Sequence, residues 1–192
     1  YRRLVFDELC ANFLSLSENR KRIKKNKIAK HFTSKKSDQI INDLPFKLTN
    51  SQKEVLNEIN NDLSSNRRMF RIIQGDVGSG KTIVSLLSIM NVTQSGYQCA
   101  LMSPTEILAK QHFELSKKIF KNNIIKIEFL TGKTEYKKRN QILKNLKDGK
   151  VDLIIGTHSL FQKKVEFNKL GLVVIDEQHK FGVKQRSDLA KK

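Results

Sequence analysis

The sequence predicts an α/β fold built on a mostly parallel sheet, and three observations lead there. From Leu44 onward, short apolar runs alternate with longer segments of helical period, the pattern of strand, helix, strand, helix. One of the runs, Leu172-Val-Val-Ile175, is apolar at every position rather than at alternate ones, as in a central strand covered on both faces. A glycine-rich stretch at 75–82 falls between a strand run and a helix run, where a parallel sheet presents its ligand-binding loops.

Taken in order, the first element is a helix. Val5, Leu9, Phe13 and Leu16 recur at steps of four, four and three, one apolar stripe on a helix running from about residue 2 into the twenties. Arg20 to Lys36 then holds nine basic residues and no acidic one. This stretch reads either as an arm facing nucleic acid or as a solvated helix end and linker, with Phe32 the one aromatic interleaved. Residues 1–42 are therefore expected to form a connecting helix and basic linker, and 43–192 a separate domain. After Pro45 a helix should start with Thr49 or Asn50 as its cap. The strand runs that follow are Met69–Gln74, Gln98–Met102, Ile124–Leu130, Val151–Ile155 and Leu172–Ile175. Between them, Ile83, Leu86, Leu87 and Met90 mark one helix, Ile107 to Phe120 a second and Glu135 to Leu146 a third.

Composition narrows the class. The chain has 192 residues, with 37 Lys+Arg against 19 Asp+Glu and a formal net charge of +18, so polyanions are the first partners to consider. Two cysteines, two prolines and nine glycines exclude disulfide, collagen-like and low-complexity scaffolds. Cys10 and Cys99 lack ligand spacing and sit among apolar neighbours, so both are expected as reduced core thiols, and no metal site is read from them. No apolar run approaches the roughly 18 to 20 residues that cross a bilayer, and the N-terminus has no secretory signal. A cytoplasmic location with no membrane partner is the expectation. Residue 1 is Tyr, and the last motif lies close to the end, so the chain reads as a piece of something longer.

Gly75-Asp-Val-Gly-Ser-Gly-Lys81-Thr82 fits the phosphate-loop pattern of Gly, four residues, then Gly-Lys-Thr. Glycines let the main chain curl so that successive N–H groups face one concavity, and the following helix adds its positive end. Lys81 would bring a full charge to the β- and γ-phosphates, and Thr82 a hydroxyl to Mg²⁺. The last strand run ends in Asp176-Glu177-Gln178-His179, which puts two carboxylates on the same sheet edge. Asp176 then suits the magnesium shell, and Glu177 the water that attacks the γ-phosphate.

Weaker signals accompany these. Gln52 carries an amide able to pair with the N6/N7 edge of adenine. Three further strand runs end in polar tips: Ser103-Pro-Thr-Glu106, Thr131-Gly132 and Gly156-Thr-His158. Ser103 to Glu106 also reads as a capping box with Pro104 at the first helical position. Alternatively the three threonine-bearing tips form a row of donors for a sugar-phosphate strand.

Phe46, Leu48-Thr49 and Gln52, the loop at 75–82, Pro104 to His112, Leu130 to Gly132, Gly156 to Gln162 and Asp176 to Val183 together resemble superfamily 2 helicases, and among them the RecG family of branch-migration helicases. The transcription-repair coupling factors are similar, but Ser79, Gln178 and Thr105-Glu106 favour the RecG pattern. The resemblance covers about residues 43–192. It implies a P-loop NTPase fold, a RecA-like three-layer domain, incomplete at its C-terminus and acting with ATP and Mg²⁺ on DNA forks and junctions in recombination and repair. By position, Phe46 would lie on the adenine ring and Gln52 would read it. Gly75, Asp76, Gly78, Ser79, Gly80, Lys81 and Thr82 would hold the triphosphate. Asp176 and Glu177 would serve magnesium and hydrolysis, and Gln178 and His179 would couple hydrolysis to movement. Thr105, Thr131, Gly132 and Thr157 would touch the tracked strand. Lys180 stands where many relatives have Arg, a mild departure because the charge is kept. A second RecA-like lobe with its arginine finger and a junction-gripping wedge domain fall outside 1–192, so this chain alone should hydrolyse ATP poorly. The alternative class is a non-catalytic nucleic-acid-binding module with a vestigial nucleotide site; intact Lys81, Thr82, Asp176 and Glu177 argue against it.

Overall fold

The computed structural model describes residues 46–65, 69–121, 125–162 and 164–181, together with Phe32, Ile41 and Leu44. The expected N-terminal helix, nearly all of the basic stretch 20–36 and Cys10 lie outside the described residues.

Helix α1 (Asn50–Ser64) starts at a reciprocal cap. The Thr49 hydroxyl accepts from the Gln52 N–H, and the Gln52 side chain accepts from the Thr49 N–H, so two of the helix's orphan donors are satisfied. Its buried residues Leu56, Ile59 and Leu63 step by three and four, giving one apolar face. Helix α2 (Lys81–Gln94) is buried from Leu86 through Thr93 without a break, as expected for a helix apolar nearly all round. Strand β1 (Gln98–Met102) follows, then helix α3 (Glu106–Ile119), strand β2 (Ile127–Leu130), helix α4 (Tyr136–Lys147), strand β3 (Leu153–Gly156) and strand β4 (Leu170–Ile175).

The four strands form one all-parallel sheet in the order β2-β3-β1-β4. Alternate residues feed two cores, one on each face. Cys99, Leu101, Leu153, Ile155 and Leu172 join α1, α2 and part of α3 on one side. Ala100, Met102, Leu130 and Ile154 join α4 and Leu160 on the other. Helix layer, sheet and helix layer make a three-layer α/β architecture, with the parallel sheet that the alternation of runs predicted and the layering that the helicase resemblance implied. Burying each leucine, isoleucine or methionine of α2 stabilises by about 1.5–3 kcal/mol, so this helix, which begins at the phosphate loop, is among the best-anchored elements.

Three expectations need correction. Leu172–Ile175 does alternate between the two cores, but β4 is an edge strand among the described residues, and only Leu172 is fully buried. Continuous apolarity reports cover on both faces and says nothing about a neighbour in the plane. Met69–Gln74 is not paired into the sheet: Met69 and Ile73 pack on the first core, while Phe70 and Ile72 are largely exposed. Arg71 fixes this segment to α1 through Glu58 and Asp62, with its Nε 2.8 Å from Asp62 Oδ2. The third correction concerns α3. Its cap is Thr105, whose hydroxyl accepts from the Leu108 N–H at 3.3 Å, and not Ser103. Ser103 is still in register with the strand ends, its N–H donating to the Gly156 carbonyl at 3.0 Å, so it cannot adopt the cap position.

Sheet register sets the site. Met102 pairs with both Gly156 and Ile175, and Leu130 with Gly156, so the four strands finish in one line. Thr131, Thr157, Ser103 and Asp176 are therefore the first residues beyond the sheet, side by side. Gly156 is required by this alignment: a Cβ there would stand 2.1 Å from the Leu130 carbonyl oxygen.

Candidate nucleotide and nucleic-acid site

The loop at 75–82 joins the Met69–Gln74 segment to α2. Gly78 and Gly80 adopt φ of 84° and 82°, in the left-handed region that favours glycine, which turns the main chain around. Gly80 is doubly constrained, because a Cβ on it would lie 2.3 Å from Gln52 Nε2. Lys81 folds back over the loop, its Nζ donating to the carbonyls of Gly75 and Asp76 at 2.7 Å each and lying 3.5 Å from Ser79 Oγ. Gly80 caps α2 with no side-chain hydrogen bond, so the helix's first N–H groups meet no capping side chain. Loop, ammonium and uncapped helix start together form an anion-binding concavity.

Gln52 closes one side of the loop, its Nε2 donating to the Ser79 carbonyl at 2.9 Å. Each half of the amide makes one bond, to Thr49 or to Ser79, which leaves one N–H and one lone pair for a further partner. Phe46 is exposed just ahead of α1.

At the end of β4, the Asp176 N–H donates to the Met102 carbonyl at 2.8 Å and fixes the main chain as it leaves the sheet. Its Oδ2 lies 2.8 Å from Nε2 of His112 on α3. This hydrogen bond, above all, together with the charge of Lys81, holds the Asp176 carboxyl below the usual aspartate range against the opposing effect of burial. Glu177 has φ 50° and ψ 50°, the one non-glycine residue with positive φ among those described. Such a conformation costs on the order of 1 kcal/mol and is found at sites where the surrounding structure enforces it. Glu177 Oε2 lies 3.4 Å from His179 Nδ1, and Gln178–Lys180 form a single 3-10 turn.

The donor set suits a hard divalent cation. Asp176 offers a partly exposed carboxylate and Thr82 a hydroxyl in the first turn of α2, the kind of oxygen ligands magnesium takes alongside phosphates and water. Among the described residues no cluster of three or more His, Cys, Asp or Glu side chains forms a metal cage, which such a site does not need.

The row of strand tips expected to meet nucleic acid is only partly open. Thr105 and Gly132 are exposed, whereas Thr131 and Thr157 are buried. The Thr131 hydroxyl accepts from the Lys133 N–H at 3.3 Å, and the Thr157 hydroxyl, like that of Ser103, has no partner. Glu106 and Lys133 form an ion pair at 3.1 Å that ties two of the tips together; Lys133 in particular holds the Glu106 carboxyl below its usual range. Cys99 is a free, buried thiol as expected, and burial pushes its pKa up.

Sequence reasoning assigned no role to His112, although it lay inside a quoted motif. The signal was present: Ala109, His112 and Ser116 step by three and four along the buried face of α3, where a histidine needs a partner. Gln98 was missed as well. Its buried amide donates to the carbonyls of Leu146 and Val151 at 2.9 and 2.7 Å and accepts from the N–H groups of Asn168 and Lys169 at 2.7 and 3.1 Å.

Both the sequence and the fold have relatives among known proteins. The chain is 44% identical to the ATP-dependent DNA helicase RecG of Aquifex aeolicus over its whole length, which is 24% of that protein, and 44% identical to that of Bacillus subtilis, of which it covers 28%. It therefore spans about a quarter of the length of these relatives. A structure of RecG bound to a three-way DNA junction superimposes with a TM-score of 0.84 at 41% identity, over 94% of this chain and 25% of that one. A hypothetical ATP-dependent RNA helicase from Sulfolobus tokodaii shares the fold at a TM-score of 0.59 and 21% identity, over 82% of this chain and 45% of that one. The DEAD/DEAH box helicase model matches residues 49–192, and the chain belongs to that family.

Proposed function

We propose that this chain carries the nucleotide-binding half of an ATP-dependent DNA helicase of RecG type, with 43–192 as the first motor lobe and 1–42 as a connecting helix and basic linker. The observation that carries the reading is that α2 packs on β1 and β4 and ends just before β1 begins, so its first residue, Lys81, folded over the phosphate loop, starts at the end of the sheet where Asp176 leaves β4.

On this reading, Gly75 to Thr82 enclose the phosphates of ATP with main-chain N–H groups. Lys81 exchanges its loop carbonyls for phosphate oxygens, and Gln52 offers adenine the two amide positions left over from Thr49 and Ser79. Phe46 lies against the ring. Thr82 and Asp176 hold Mg²⁺, which when bound neutralises phosphate charge. Glu177, held in its left-handed conformation, orients the attacking water and accepts its proton. Gln178 and His179, in the short turn that follows, register the change. Thr105 and Gly132 meet the tracked strand directly, and Thr131 and Thr157 contribute through their main chain. Forks and other branched junctions would be the substrates and the cytoplasm the setting.

The reading is tested in the intact protein by Glu177→Gln. ATP binding should persist while DNA-stimulated turnover falls by roughly a hundredfold or more, the range for loss of general-base catalysis. Unchanged turnover would remove Glu177 from the role of water-orienting residue.

A further inference from the structure

The imidazole of His112 is buried on α3, on a face shared with Ala109 and Ser116. A buried polar ring is destabilising unless it is hydrogen-bonded, and the bond it makes is to Asp176 Oδ2, at 2.8 Å. A carboxylate accepts, so the imidazole nitrogen facing it is the protonated Nε2–H. The two residues are 64 positions apart in sequence, and each is fixed independently. Asp176 is pinned by its N–H to the Met102 carbonyl, and His112 by a helix whose Ala109 is packed in the first core. The bond is thus made between two rigid elements, which leaves the carboxylate little rotational freedom. With Oδ2 engaged, Oδ1 is the oxygen that remains free of His112.

We propose that His112 is a positioning residue for the magnesium site: by holding Oδ2 of Asp176 it fixes the carboxylate in the orientation that presents its other oxygen to the cation. The inference rests on the nucleotide-site reading given above. A carboxylate ligand held by a hydrogen bond from a second residue binds its metal more tightly, because the bond removes the cost of ordering the ligand, and loss of such a partner weakens metal affinity by roughly ten- to a hundredfold.

The test uses the full 192-residue chain and fluorescent ADP, titrated with MgCl₂. His112→Leu fills similar volume without a donor, and His112→Gln restores an N–H at a similar reach. The expected result is that His112→Leu raises the Mg²⁺ concentration for half-maximal nucleotide binding by roughly tenfold or more, leaves magnesium-free nucleotide affinity unchanged, and is largely rescued by His112→Gln. Superimposable magnesium profiles for wild type and His112→Leu would overturn the proposal while leaving the nucleotide site in place. Absence of magnesium-dependent binding by the wild type would overturn the nucleotide-site reading and the role of His112 with it. Should His112→Leu fail to fold, ¹⁵N spectra of the wild-type imidazole decide the matter. A protonated Nε2 whose resonance moves when Mg-ADP is added supports the proposal, and a resonance unmoved by Mg-ADP overturns it.

Discussion

The side-chain amide of Gln52 bridges a helix cap and the phosphate loop, accepting from the Thr49 N–H at 3.0 Å and donating to the Ser79 carbonyl at 2.9 Å. The start of α1 and the turn that precedes α2 are thereby braced by one residue, 27 positions from the carbonyl it holds.

Gln52→Ala should therefore do two things at once. Loss of the Gln52 half of the reciprocal cap costs at most about 1 kcal/mol, because the Thr49 hydroxyl still accepts from the main-chain N–H of residue 52, and is seen as a lower urea midpoint. Loss of the amide's remaining donor and acceptor should flatten any preference for ATP over GTP, measured by competition. A variant that keeps full preference would remove Gln52 from adenine recognition and leave it a capping role alone.

Gln98 predicts a larger effect on stability. Gln98 is 4% exposed, and its amide satisfies two carbonyls and two N–H groups on three different chain segments. Gln98→Leu would take the amide's hydrogen bonds from the Val151 carbonyl and from the Asn168 and Lys169 N–H groups, while the Leu146 carbonyl keeps the Gly149 N–H at 3.2 Å, at about 1–3 kcal/mol for each group that water cannot reach. A loss of at least about 3 kcal/mol in chemical denaturation is expected on that scale. A loss below about 1 kcal/mol, typical of a single hydrogen bond, would mean that the loops rearrange freely around the substitution.

Asp176 gives a prediction in pH. Its carboxyl is depressed in the fold, chiefly by the hydrogen bond from His112. The stability this adds is present above the ordinary aspartate range and is lost as the pH falls through the depressed value. With magnesium chelated, wild type should be more stable than Asp176→Asn at neutral pH, and the gap should close below the ordinary aspartate range. A gap that widens on acidification would reverse the assigned direction.

Much of this was legible in the sequence because the signals were local. Gly78 and Gly80 specify their own left-handed turns, and Gly75 to Thr82 runs into a helix as expected, although the segment before it is not a strand. The apolar runs at 98–102 and 172–175 fall within β1 and β4. What was not legible depended on partners distant in sequence. Whether Met69–Gln74 pairs is decided by what lies beside it, and Arg71 ties it to α1 instead. Ser103 reads as the cap of α3, and sheet register holds it in line with the strand ends so that Thr105 takes that place. The contacts of His112 and Gln98 span 64 and 48 to 71 positions, and periodicity does not report a contact of that range.

The central claim is that the loop at 75–82 and the acidic residue at the end of β4 serve one magnesium-bound nucleotide. Calorimetric titration of Mg-ADP into wild type, Lys81→Ala and Asp176→Ala, with circular dichroism to confirm folding, tests it most directly. The account predicts measurable binding by the wild type, none by folded Lys81→Ala, and binding by folded Asp176→Ala that is weaker and no longer strengthened by magnesium; equal affinity in all three would contradict it.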